Sequence, residues 1–137
     1  MSATVAHFEV AESPATPKSV WLGRVLSGLA AAFLLLDLSL KLVHNPMAIE
    51  TSGALGYPAE TVFPIGMIAL ACWVLYVIPR TALIGAVLWT GYLGGAVATH
   101  VRVGNPLFTH MLFPLYIAAL LWGGLLLRDA RARNLFK

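Results

Sequence analysis

The chain has 137 residues, 59% of them hydrophobic and 11% charged, with a mean hydropathy of +0.82, far from the roughly 45 to 50% apolar and about 25% charged of soluble domains. A net charge of +3 and a pI near 9.4 would suit nucleic acid if the basic residues clustered with exposed aromatics, but they flank apolar runs, which argues against a nucleic-acid binder. The single cysteine, Cys72, excludes an internal disulfide and paired-thiol chemistry, and the length leaves no room for a soluble catalytic domain beside the membrane spans.

Residues 1 to 19 are polar, hold two prolines and lack the leading positive charges of a secretory signal, so they read as a disordered cytoplasmic tail. The first span runs from Val20 to Val43, too long for the apolar region of a signal peptide. In the following HNPMAIETSGALGYPAE, Asn45 is placed to cap a short helix opened by Pro46 and ended by Gly56, a lid over one face of the bundle. The second span, 61 to 78, keeps Pro64 near its first turn, and Pro79 and Arg80 make a tight hairpin. The third span is 81 to 101, the loop 102 to 106 follows, the fourth span is 107 to 127, and residues 128 to 137 form a basic cytoplasmic tail.

Lipid cannot satisfy open backbone groups, so these runs predict an all-α, integral membrane four-helix antiparallel bundle. Lys18, Arg24, Arg80, Arg128, Arg131, Arg133 and Lys137 flank one side of the bilayer, and Lys41 and Arg102 the other. That bias predicts N and C termini in the cytoplasm. Gly91 and Gly95, Gly94 and Ala98, and Gly28 and Ala32 form small-xxx-small pairs suited to close helix packing within the bundle or in a homo-oligomer.

Asp37, Lys41 and His44 follow the i, i+4, i+7 spacing of one helix face. At 1.5 Å per residue Asp37 lies roughly 9 Å inside the outer boundary, where a charge facing lipid is costly, so the stripe should face the interior. Either it neutralises itself and packs the bundle, or it belongs to a site. His100 and Arg102 end the third span and His110 begins the fourth, so with the stripe they would form a polar ring at the outer mouth. Tyr92 and Tyr116 lie roughly 14 Å in, and Trp73 and Trp89 are near mid-span; together these suggest a deeper wall. Pro114 cannot donate to the carbonyl of His110, so the fourth helix should kink there. The histidines lack a metal or haem motif, with Lys41 and Arg102 opposing a cation, and no triad supports a catalytic residue.

LVHNP (42 to 46), LGYP (55 to 58), VIPR (77 to 80) and GGAVATHVRVGNP (94 to 106) resemble the DoxX-like family of small bacterial four-helix membrane proteins, over roughly residues 20 to 130. The resemblance implies a multi-pass protein of the bacterial cytoplasmic (inner) membrane. The family is similar to a membrane subunit of archaeal thiosulfate:quinone oxidoreductase, which implies a link to quinone or thiol redox systems but carries over no catalytic residue. Two functions follow as expectations. One is a bundle that binds a quinone or a similar lipophilic ring molecule, alone or as a subunit of a redox complex. The other is a non-catalytic scaffold whose small-residue faces bind partner helices.

Overall fold

The computed structural model describes residues 17–137, which contain no strand. Helix α1 covers Pro17–Leu42, α2 Pro46–Ala54, α3 Ala59–Val77 and α4 Ala82–Val103; a π-helical turn, Leu107–Met111, precedes α5, Phe113–Arg128, and α6, Ala130–Asn134. Four stretches are long and apolar enough to cross a membrane: α1, α3, α4 and the π turn together with α5. The expected tail lies outside the described residues as far as residue 16. Its last three residues, Pro17, Lys18 and Ser19, instead form the first turn of α1, where a proline loses no intrahelical hydrogen bond.

Each span packs on two neighbours, α1 on α3 and α5, and α4 on the same two, so the four form a ring. Leu34, Leu38, Ala69, Tyr76, Ala86, Trp89, Leu121 and Leu125 fill its centre. Leu29, Leu36, Ile84, Val87 and Phe108 stay on the outside, as expected where the surrounding solvent is acyl chain. The C-terminal end lies beside the α3–α4 turn, where the Arg131 guanidinium donates to the Pro79 carbonyl, and the first half of α1 joins it through Arg128 Nε, which donates to Ser27 Oγ at 3.0 Å. We call this the basic end and the opposite one the mouth.

At the basic end, glycines let helix backbones approach closely. A Cβ on Gly23 would fall 2.7 Å from the Gly124 carbonyl oxygen, joining α1 to α5, and a Cβ on Gly85 would fall 2.6 Å from the Tyr76 Cα, joining α4 to α3. The expected small-residue pairs do not serve in this way. Cβ atoms built on Gly28, Gly91, Gly94 and Gly95 meet nothing within 4 Å, and Gly91, Gly94, Ala98, Gly28 and Ala32 are all exposed.

At the mouth, α1 and α4 end in the same manner. Asn45 N donates to Leu40 O and His44 N to Lys41 O, while Asn105 N donates to His100 O and Gly104 N to Val101 O. Each is a Schellman closure around a left-handed residue, Gly104 in one case and His44, with φ of 55°, in the other. Asn45 then caps α2, its side chain accepting from Met47 N at 2.9 Å, and Pro46 opens the helix. Gly56, at φ of 91°, turns the chain into α3. These match the helix, cap and turn expected of this segment.

Two prolines behave differently from expectation. Helix α3 starts at Ala59, so Pro64 lies inside it and deprives the Glu60 carbonyl of its donor. The fourth span does not simply kink. It breaks into the π turn and α5, with Pro114 in the first turn of α5, where it removes no helical bond.

Candidate functional site: a roofed cavity at the mouth

The polar stripe on α1 begins as its spacing predicts. Lys41 Nζ donates to Asp37 Oδ2, with the Lys41 side chain 15% and the Asp37 side chain 44% exposed. Both side chains line a cavity of about 420 Å³ walled by all four spans. Phe33, Leu34, Asp37 and Lys41 form the α1 wall, and Ile65 and Ile68 the α3 wall. Tyr92, Leu93, Gly95, Ala96, Thr99 and His100 come from α4, and Phe113, Pro114 and Ile117 from α5. Thr51 and Ser52 of α2, with Leu55 and Tyr57 of the turn after it, supply the roof.

The roof is tied to α4 at two points. Thr99 Oγ1 donates to the Gly95 carbonyl at 2.9 Å, so in its 2.8 Å contact with Tyr57 Oη the phenol is the donor. Arg102 Nη2 donates to the Leu55 carbonyl at 2.6 Å. Gly56 is pressed against the same guanidinium: a Cβ there would lie 2.9 Å from Arg102 Nη2. A left-handed glycine thus both turns the chain and makes room for the tether.

His100 is held by its own helix terminus. Asn105 Nδ2 lies 2.8 Å from His100 Nδ1; with the amide nitrogen as donor, the neutral imidazole carries its proton on Nε2. His110 stands edge-on to it, ring centroids 5.9 Å apart, and is itself exposed, with Nδ1 2.8 Å from Thr109 Oγ1.

Of the ten residues singled out from sequence, the structure brings Asp37, Lys41, Tyr92 and His100 to the cavity wall. His44 lies past the end of α1, where the left-handed turn takes it off the stripe and stacks it on Phe63 at 5.3 Å. Arg102 acts on the roof from outside, and His110 backs His100. Trp73 braces α3 to α1 through Nε1–H to the Ala31 carbonyl at 2.9 Å. Trp89 is 1% exposed in the core, edge-on to Tyr92 at 5.1 Å, and its Nε1–H meets no acceptor among the described residues. Tyr116 faces outward, 47% exposed, with its hydroxyl on the Phe108 carbonyl at 3.2 Å.

The wall also contains residues that sequence reasoning did not select: Phe33, Tyr57, Thr99 and Phe113 among them. Ala96, Thr99 and His100 follow Tyr92 at helical spacing, so extending the α4 face would have found Thr99. Tyr57 gave no such signal, because its chemistry as a turn residue hides its role. Phe33 and Phe113 meet edge-on at 5.4 Å across the α1–α5 seam. Among the described residues no three His, Cys, Asp or Glu side chains group closely enough to hold a metal ion.

The chamber is therefore apolar over most of its surface, with an ammonium–carboxylate pair, an imidazole and two phenols set into it. Fold and cavity together define a multi-pass four-helix membrane protein with an internal binding-sized chamber. A family model described as the DoxX-like family matches residues 25–124. The chain belongs to that family. Comparisons with curated proteins and with solved structures gave no match.

Proposed function

We propose that the mouth cavity binds a ring-bearing lipophilic molecule, most specifically a quinone, within a redox-associated complex of the bacterial inner membrane. The observation that carries this reading is the enclosure of one chamber by four spans and a roof, with the Asp37–Lys41 pair in its wall. An empty apolar cavity of about 150 Å³ accepts a benzene-sized ring, so about 420 Å³ has room for a substituted ring and the start of a tail. Lys41 Nζ and His100 Nε2–H are donors suited to ring carbonyls, Asp37 balances the ammonium charge and can exchange a proton, and Tyr92 lines the deeper wall. The distribution of Lys and Arg supports a basic end in the cytoplasm and the mouth outside.

The test is quinone co-purification, measured by liquid chromatography and mass spectrometry on protein taken directly from its membrane. Wild-type protein is expected to carry quinone in a near-stoichiometric amount, and Asp37→Asn and His100→Ala to lose most of it while melting within a few degrees of wild type in the same detergent. Absence of quinone from wild type, or equal loading of all three, would refute the reading.

A second reading, a scaffold for partner helices, draws on the outward Gly91 and Gly94, whose Cβ positions are open. A Gly91→Cys variant would then form a disulfide with the same cysteine of a neighbouring copy in oxidised membranes.

A further inference from the structure

The basic end holds a second groove, of about 190 Å³, between α1 and the ends of α3 and α5. Arg24, Ser27 and Gly28 line it from α1, Tyr76 and Val77 from α3, and Arg128 from α5. The groove is preassembled. Tyr76 Oη donates to the Leu121 carbonyl at 2.8 Å, which leaves its oxygen to accept from Ser27 Oγ at 2.9 Å, and Ser27 Oγ in turn accepts from Arg128 Nε at 3.0 Å. The Arg128 guanidinium carbon is 5.4 Å from the centroid of the Tyr76 ring, a cation–π contact that adds to the fixing of its orientation. With Nε engaged, the two Nη groups of Arg128 have no acceptor among the described residues, and Arg24 has no hydrogen-bond or ion-pair partner among them.

Two guanidinium groups at one groove repel one another unless an anion sits between them. The carboxylate nearest in sequence, Asp129, is engaged by Arg131 through both of its oxygens, although Arg128 also feels its charge. We propose that Arg24 and Arg128 hold the phosphate of an acidic phospholipid. Guanidinium groups match phosphate oxygens in charge and in geometry. The rest of the groove is apolar, through Gly28 and Val77, and a Cβ on Gly28 would meet nothing within 4 Å. That open apolar side fits the glycerol and upper acyl chain of a lipid, which a free phosphate ion lacks.

The depth agrees. Helix α1, at 26 residues, is about 39 Å long against a hydrocarbon layer of about 30 Å. The excess of about 9 Å, extended beyond the basic end, puts Arg24, roughly 10 Å from Pro17, at the level where acyl chains meet headgroups.

The proposal is tested by native mass spectrometry of the whole chain in detergent, with dioleoylphosphatidylglycerol or dioleoylphosphatidylcholine added. Wild-type protein should retain phosphatidylglycerol in preference to phosphatidylcholine. Arg24→Gln should weaken that retention about tenfold, the scale of one charge-assisted hydrogen bond to phosphate. Gly28→Leu, which keeps both arginines and fills the apolar side, should weaken it as well, and it decides the matter if Arg24→Gln does not fold. Arg80→Gln, an exposed cation outside the groove, should have no effect. Equal loss in Arg80→Gln would reduce the effect to diffuse charge, equal retention of the two lipids would remove the headgroup site, and displacement of phosphatidylglycerol by millimolar inorganic phosphate would make the ligand a free anion. Each of those results overturns the proposal.

Discussion

Gly95 offers the most direct control over the mouth cavity. It lines the chamber, and a Cβ built on it meets nothing within 4 Å, so Gly95→Phe introduces a ring without an immediate clash. A benzene-sized ring needs about 150 Å³, roughly a third of the 420 Å³ present. If the ligand loses about 100 Å² of apolar contact, the cost at 25 cal/mol per Å² is about 2.5 kcal/mol, or roughly 60-fold in affinity. Stability should change by less than about 1 kcal/mol, since phenylalanine is a slightly better helix former than glycine. The assay is titration of the detergent-solubilised protein with decylubiquinone, followed by tryptophan fluorescence, with thermal melting as the control. Gly91→Phe, one turn away and off the cavity wall, is the companion variant and should bind as wild type does. Unchanged affinity in Gly95→Phe would show that this chamber is not where the quinone binds.

Other substitutions probe the parts that position the chamber. Gly85→Ala drives a Cβ into the backbone of Tyr76 and should destabilise the bundle by about 1 to 3 kcal/mol, measured by reversible unfolding in mixed micelles; a variant as stable as wild type would contradict the α3–α4 contact. Arg102→Ala removes the tether to Leu55, and faster amide hydrogen exchange in residues 46–54 than in the spans should follow, with a loss of about 1 kcal/mol in local stability. Burial pushes the Asp129 carboxyl up, but hydrogen bonds from Arg131 and the charges of Arg131 and Arg128 outweigh it and hold the group below its usual range. Its contribution to capping α6 is therefore complete above the unfolded value of about 3.9 and disappears as pH falls through the lower folded value. Exchange protection of residues 130–134 should fall between pH 4 and pH 2 and stay constant from pH 5 to pH 7.

The sequence was most informative where chemistry is local. Asn45, Pro46 and Gly56 specify a capped helix and its exit by their own backbone preferences, and Asp37 and Lys41 declare a shared face by spacing alone. His44 shows the limit of that spacing: three residues beyond Lys41 it would continue the stripe, but the Schellman closure ends the helix at Leu42. Counting residues along a span gives depth and not direction around the helix axis. Tyr92 and Tyr116 therefore share one level by that count, although one lines the cavity and the other faces outward. The same blindness applies to small residues. Gly91 and Gly95 carry the familiar packing pattern, yet Gly23, Gly85 and Gly124, which meet neighbouring backbones, are identified only by what stands opposite them.

Those three glycines have a mechanical consequence. α1 meets α5 and α4 meets α3 backbone to backbone near Arg128 and Arg80, so these contacts set how the paired spans diverge from the basic end. A displacement at Gly124 or Gly85 would be carried along roughly 20 Å of helix toward Asp37 and His100. A larger residue at Gly124 or Gly85 is therefore expected to alter the width of the chamber without touching its wall.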